Sequence, residues 1–251
     1  MQFSANLGFL WTELALPDAI HAAADAGFHA VECHWPYDVP PREINAALAK
    51  TGLPMLGLNT RRGDTAAGEN GLAAVPGREE AARAAIHQAI GFADTIGAHA
   101  VHVMAGRAGG ADAEQAFLAN LRIASAAAAP LGIDILIEPL NRHDAPGYFL
   151  RTTDQARAII ETVGVPNLKL MFDCYHVART EGDVTTRLAG LLPVIGHIQF
   201  AAVPDRGPPD HGELHYPAVF AAIEALGWAK PLGAEYKPGR PTGETLGWML
   251  H

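Results

Sequence analysis

Short apolar runs rich in Val, Ile, Leu and Phe alternate along this chain with longer segments whose apolar positions recur every three to four residues. The first pattern predicts buried strands and the second amphipathic helices. Strands are predicted over Phe3–Gly8, Ala30–Trp35, Pro54–Asn59, His99–Ala105, Ile133–Asn141, Leu168–His176, Ile195–Ala201 and Leu232–Pro238. Helices fall between them over Pro17–Ala26, Arg42–Lys50, Arg78–Ile96, Ala113–Ala129, Thr153–Val163, Val184–Leu191 and Pro217–Leu226. Pro17 in a first turn and Gly27 just past a last one are typical helix punctuation. A long polar, Gly-rich segment, Thr60–Gly77, interrupts the alternation, and the tail from Gly243 adds at most a turn.

Strand and helix in strict alternation imply parallel strands joined by right-handed crossovers. Eight such units predict a closed (β/α)8 TIM barrel, one domain spanning residues 1–251. An open doubly wound sheet is the runner-up, and the chain lacks the Gly-x-Gly-x-x-Gly turn after its first strand that would favour it. In a barrel, active sites form at the carboxyl ends of the strands from groups on several strands. The last four predicted strands each carry an oxygen-bearing side chain there: Glu138, Asp173, Gln199 and Glu235. Any one of them alone reads best as a rim residue. Four in register on adjacent strands read as one metal site. Three carboxylates and an amide form an all-oxygen set that suits a hard cation, Mg²⁺ or Mn²⁺. Without it the carboxylates would repel one another.

Charge narrows the partners. A formal net charge of −9 argues against a phosphate-backbone ligand, so nucleic acid is not expected. It leaves room for a small anionic substrate if local cations invert the field in the cleft. Cys33 and Cys174 lack a Cys-x-x-Cys pattern and read as buried free thiols. No basic-plus-apolar leader opens the chain and no apolar run reaches membrane-spanning length. A cytoplasmic protein with no membrane partner is expected, with homo-oligomerisation left open.

At the strand ends the chain resembles a known family. Ile-Glu-Pro-Leu-Asn-Arg (137–142), Phe-Asp-Cys-Tyr-His (172–176), Gly-His-Ile-Gln (196–199), Val-Pro-Asp-Arg (203–206) and Ala-Glu-Tyr-Lys-Pro (234–238) look like the hydroxypyruvate isomerases, xylose-isomerase-like barrels. The loop with Gly63-Asp64, Ala67-Gly68-Glu69, Gly71 and Pro76-Gly77-Arg78-Glu79-Glu80 resembles them more specifically still. The resemblance spans essentially the whole chain and departs at Ala229-Lys230-Pro231, which look inserted before the last strand. It implies that Glu138 and Glu235 are acid/base carboxylates and also ligands, with Asp173 and Gln199 completing the coordination of one divalent ion. It further implies conversion of hydroxypyruvate to tartronate semialdehyde through an enediolate, and a substrate-binding role for His176.

Other residues are read singly. Arg206, in a Pro-rich loop, suits a substrate carboxylate. Asp144 and Lys237 are candidate substrate contacts. His197 and His102 point into the barrel and read as satisfied interior histidines or partners of ligands. Arg61 and Arg62 read as solvated, and Tyr175 and Trp11 as packing or pocket wall. Competing functions are a 2-oxo-tetronate isomerase, a ketose 3-epimerase (whose third ligand is a His where this chain has Gln199), an endonuclease-like enzyme, and a non-catalytic barrel.

Overall fold

The computed structural model describes residues 1–250, Leu250 by its backbone alone. Eight strands are present: β1 (Phe3–Asn6), β2 (Ala30–Glu32), β3 (Gly57–Asn59), β4 (Ala100–His102), β5 (Asp134–Ile137), β6 (Leu168–Asp173), β7 (Ile195–Phe200) and β8 (Leu232–Ala234). They pair in parallel in the order β2-β1-β8-β7-β6-β5-β4-β3. The two ends of that order meet: Val31 N–H donates to the Pro54 carbonyl at 3.0 Å and Leu56 N–H to the Val31 carbonyl at 2.7 Å. The expected barrel therefore forms, nearly closed.

Around it run α1 (Leu16–Asp25), α2 (Pro41–Thr51), α3 (Glu79–Ile96), α4 (Ala111–Ala128), α5 (Thr153–Val163), α6 (Cys174–Thr180), α7 (Val184–Leu191) and α8 (Tyr216–Ala225). Each longer helix buries one stripe. In α3 the buried residues are Ala82, Ile86, Ala89, Ile90, Ala93 and Ile96, the three-to-four spacing that turns one face to the barrel. Fully burying an Ile stabilises by roughly 1.5–3 kcal/mol.

Two expectations need correction. Every predicted strand but that of β3 continues past its true end, because the residues after it are apolar or aromatic yet leave the ladder. Pro139, for example, cannot donate to one. And α6 was not expected: Asp173 ends β6 and also caps this helix, its carboxylate accepting from Tyr175 N–H at 2.8 Å. A seven-residue helix offers too little periodicity to be read from sequence. The tail makes two 3₁₀ turns, Thr242–Thr245 and Gly247–Leu250, and Trp248 packs edge-on against Phe3 at 4.9 Å.

Barrels are commonly filled by branched aliphatic side chains. Here the upper interior is polar: Asn6, Glu32, His102, His197 and Gln199 are all buried. Beneath them lies a cavity of about 400 Å³. The Ala229–Pro231 segment lines its lower end, where Lys230 Nζ donates to the Gly196 carbonyl at 3.2 Å.

Candidate active site

Glu138 is the first residue after β5, Asp173 the last of β6, Gln199 the penultimate residue of β7 and Glu235 the first after β8. The register aligns Asp173 with Gln199 and Gln199 with Gly233, two residues before Glu235, so three adjacent strands end at the same mouth of the barrel. All four residues are buried, none more than 6% exposed. Glu138, Asp173 and His176 each offer a ligand atom within 4.8 Å of the others, a set able to hold a metal ion.

His176 needs closer reading. Its Nδ1 accepts from the Asn141 backbone N–H at 3.0 Å and lies 2.7 Å from Asn141 Nδ2. Asn141 Oδ1 accepts from the N–H groups of His143 and Asp144, which fixes the amide with its NH₂ toward the ring. Burial, then the nearby Arg206, lowers the His176 pKa to about 3, so the ring is neutral. With Nδ1 an acceptor, the proton sits on Nε2. That N–H faces Asp173 Oδ2 at 3.6 Å and Glu138 Oε1 at 3.8 Å. His176 thus presents a donor to this space rather than a lone pair, and the metal is better served by oxygens.

The two glutamates sit in opposite surroundings. Glu235 Oε1 accepts from Asn6 Nδ2 at 3.0 Å and lies 3.0 Å from His34 Nε2; Oε2 accepts from Arg206 at 2.5 Å. Burial alone would raise its pKa, but Arg206 and His34 override this and hold the carboxyl near 2. Glu138 has neutral His102 at 3.6 Å from Oε2, and no donor reaches Oε1. Burial and the charges of Glu235 and Asp173 push its pKa well up. Asp173 is pushed to about 7, burial outweighing the help of Arg206 at 3.6 Å.

Arg206 is the cation at the centre. It lies on the loop after β7 in a left-handed conformation (φ 58°), its guanidinium 4.7 Å from the Phe9 ring and 5.1 Å from the Tyr175 ring. Asp144, partly exposed, lies 3.9 Å from Arg206 and accepts from Tyr175 Oη at 2.8 Å and Asn141 Nδ2 at 3.1 Å. Lys237 is exposed, and its backbone N–H donates to the Arg206 carbonyl at 2.7 Å.

A divalent cation fits this donor set. Glu138 Oε1, Asp173 Oδ2 and Gln199 Oε1 are buried acceptors with no donor. An unpaired buried acceptor is costly, and three at the ends of adjacent strands are what a cation would satisfy. Asn6, Glu32 and His34 were missed from sequence. The strand-end signal that marks the last four strands was present on the first two as well. His34 fits only because residue 8 is glycine: a Cβ there would lie 2.1 Å from the ring.

Comparison with known proteins agrees with this geometry. Residues 20–250 match the family model described as xylose isomerase-like TIM barrel. The 2-oxo-tetronate isomerase of Cupriavidus necator is 46% identical, over 99% of this chain and 97% of its own. The hydroxypyruvate isomerase of Escherichia coli is 38% identical, over 99% and 98%. A crystal structure described as an AP endonuclease, family 2, from Brucella melitensis superposes with a TM-score of 0.95 at 36% identity, covering 99% and 98%. D-psicose 3-epimerase from Clostridium cellulolyticum superposes with a TM-score of 0.80 at 16% identity, covering 98% and 89%, a likeness of fold alone. The chain therefore belongs to the xylose isomerase-like TIM-barrel family, with the hydroxypyruvate and 2-oxo-tetronate isomerases.

Proposed function

We propose that this isomerase converts hydroxypyruvate to tartronate semialdehyde with the help of one Mg²⁺ or Mn²⁺ ion. The observation that carries the reading is the convergence of unpartnered carboxylate and amide oxygens with one buried guanidinium. Glu138, Asp173, Gln199 and Glu235 would hold the ion, which when bound supplies Lewis-acid stabilisation of the oxyanion that develops on the substrate.

The rest is work for this chain's own side chains. One proton leaves the hydroxymethyl carbon of hydroxypyruvate and one arrives at the former carbonyl carbon, by way of an enediolate. Glu138 and Glu235, on either side of Asp173 and Gln199 around the barrel mouth, are the carboxylates that take and return these protons. His176 Nε2–H donates to a substrate oxygen. Arg206 orients the substrate carboxylate through parallel hydrogen bonds. Asp144 steadies Tyr175 and Arg206, and Lys237 is a second cation on the rim. The polar walls leave little reason for a non-catalytic barrel, and the acidic site gives no groove for nucleic acid. Among the described residues no helix is long and apolar enough to cross a membrane, in keeping with the cytoplasmic location we propose.

The four-carbon substrate is the second reading, favoured by the 46% identity to a 2-oxo-tetronate isomerase. Hydroxypyruvate, 2-oxo-tetronate and a neutral ketose, assayed by NMR with metal-stripped and reloaded enzyme, decide between them. Metal-dependent turnover of the acids above the ketose is expected. Preference for the ketose would move the function to an epimerase.

A further inference from the structure

An amide ligand has a right and a wrong end. Its oxygen attracts a cation and its NH₂ repels one. Gln199 therefore needs something to decide which end faces the carboxylates, and three observations identify it. Gln199 Nε2 donates to Glu32 Oε1 at 3.4 Å, while Gln199 Oε1 is buried without a donor. Glu32, at the end of β2, is itself buried, with His197 Nε2 2.6 Å from its other oxygen. Third, β8 makes room for this group. Gly233 has no left-handed backbone to explain it, and glycine weakens a strand interior. A Cβ there would lie 2.3 Å from Glu32 Oε1, 2.8 Å from Gln199 Cγ and 2.9 Å from His197 Nε2.

We propose that Glu32 is a positioning residue that locks the Gln199 amide with its oxygen toward the metal, in a pocket kept open by Gly233. A carboxylate oxygen accepts and does not donate, so it takes the NH₂ end and leaves only the oxygen for the mouth. His197 lies against the other oxygen of this carboxylate, one layer deeper in the barrel. The inference rests on the metal site proposed above and assigns to β2 and β8 a role in choosing which atom of Gln199 the ion meets.

Mn²⁺ binding to metal-stripped protein, measured by calorimetry and by electron paramagnetic resonance, reads this without turnover. Glu32→Gln lets the amide at 199 turn either way, and binding should weaken about tenfold to a hundredfold, the usual effect of losing a residue that orients a ligand. Glu32→Asp keeps the charge but withdraws the acceptor, and it too should weaken binding. Gly233→Ala pushes the Glu32 carboxylate aside and should act in the same direction. In the Glu32→Gln background, Gln199→Glu should restore affinity, because a carboxylate offers oxygen at either end. That recovery also shows the barrel is folded. Wild-type affinity in Glu32→Gln or Glu32→Asp, or no recovery in the folded double variant, would overturn the inference. Asp173→Ala separates the two readings: if it abolishes binding while Glu32→Gln leaves it intact, the metal site stands and only this role of Glu32 falls. A wild type that binds no Mn²⁺ brings both down.

Discussion

The two halves of the barrel divide the site between them. Strands β5 to β8 bring the bare oxygens, Glu138, Asp173 and Gln199, together with Glu235. Strands β1, β2 and β4, with the second residue past β2, bring groups that face those side chains: Asn6 and His34 on Glu235, Glu32 on Gln199, His102 beside Glu138. The contrast is sharpest between the two glutamates. Glu235 is held ionised near 2 by Arg206, from the loop after β7, and by His34 of the first half; Glu138 has no donor and is pushed well up. Identical side chains at equivalent strand ends differ because Arg206 and the groups of the opposite half, Asn6 and His34, bond one and not the other. One carboxylate is prepared to stay charged and the other to carry a proton, as acid–base chemistry between two carbons requires.

If that division is right, the second half should show the largest losses. Glu138→Gln and Glu235→Gln each keep an oxygen near the ion and remove a proton carrier. Turnover should fall about a hundredfold to ten-thousandfold in each, read as kcat with the metal saturating. Near-normal turnover in either would assign its proton step elsewhere. Arg206→Ala should raise KM for hydroxypyruvate by at least about tenfold, the worth of a charge-assisted contact. A neutral ketose should be far less affected, and an equal loss on both substrates would remove Arg206 from carboxylate recognition.

Acid should weaken metal binding through the same half. Asp173 titrates at about 7 in the metal-free protein, raised by burial, and Glu138 is also raised. A group with a raised pKa holds its proton below that value, and the ion must displace it. Divalent-ion affinity should therefore fall below pH 7 by about tenfold per pH unit for each proton displaced. Calorimetry at pH 6 and pH 8, in buffers of different ionisation enthalpy, counts those protons. Binding with no proton release at pH 6 would contradict it. The smallest effect belongs to the first half. Asn6→Ala removes one of three groups around Glu235 and should cost roughly two- to tenfold in kcat, with metal stoichiometry unchanged.

The same division explains what could be read from sequence. The barrel was legible because eight apolar runs alternate with amphipathic segments. The strand-end oxygens were legible because carboxylates closing buried apolar runs are conspicuous, and Pro139 marks where one of those runs leaves the ladder. The supporting half was not. Glu32 sits inside Ala-Val-Glu-Cys-His-Trp, where one acid among apolar and aromatic residues reads as an isolated rim charge. Its meaning comes from Gln199, 167 residues away, and from the space above Gly233. Tyr175 read more readily as packing than as pocket wall; its hydroxyl bond to Asp144 and its place against Arg206 depend on α6, too short to announce itself. Strand ends report what a residue is; only the closed barrel reports what it faces.

The central claim is that these four strand ends hold one hard divalent ion, and it is tested most directly by diffraction from Mn²⁺-soaked crystals. A single anomalous peak is expected at the barrel mouth, within about 2.0–2.4 Å of oxygens of Glu138, Asp173, Gln199 and Glu235, lost in Asp173→Ala. A mouth without a peak at saturating Mn²⁺, or a peak coordinated by His176 in place of Gln199, would contradict it.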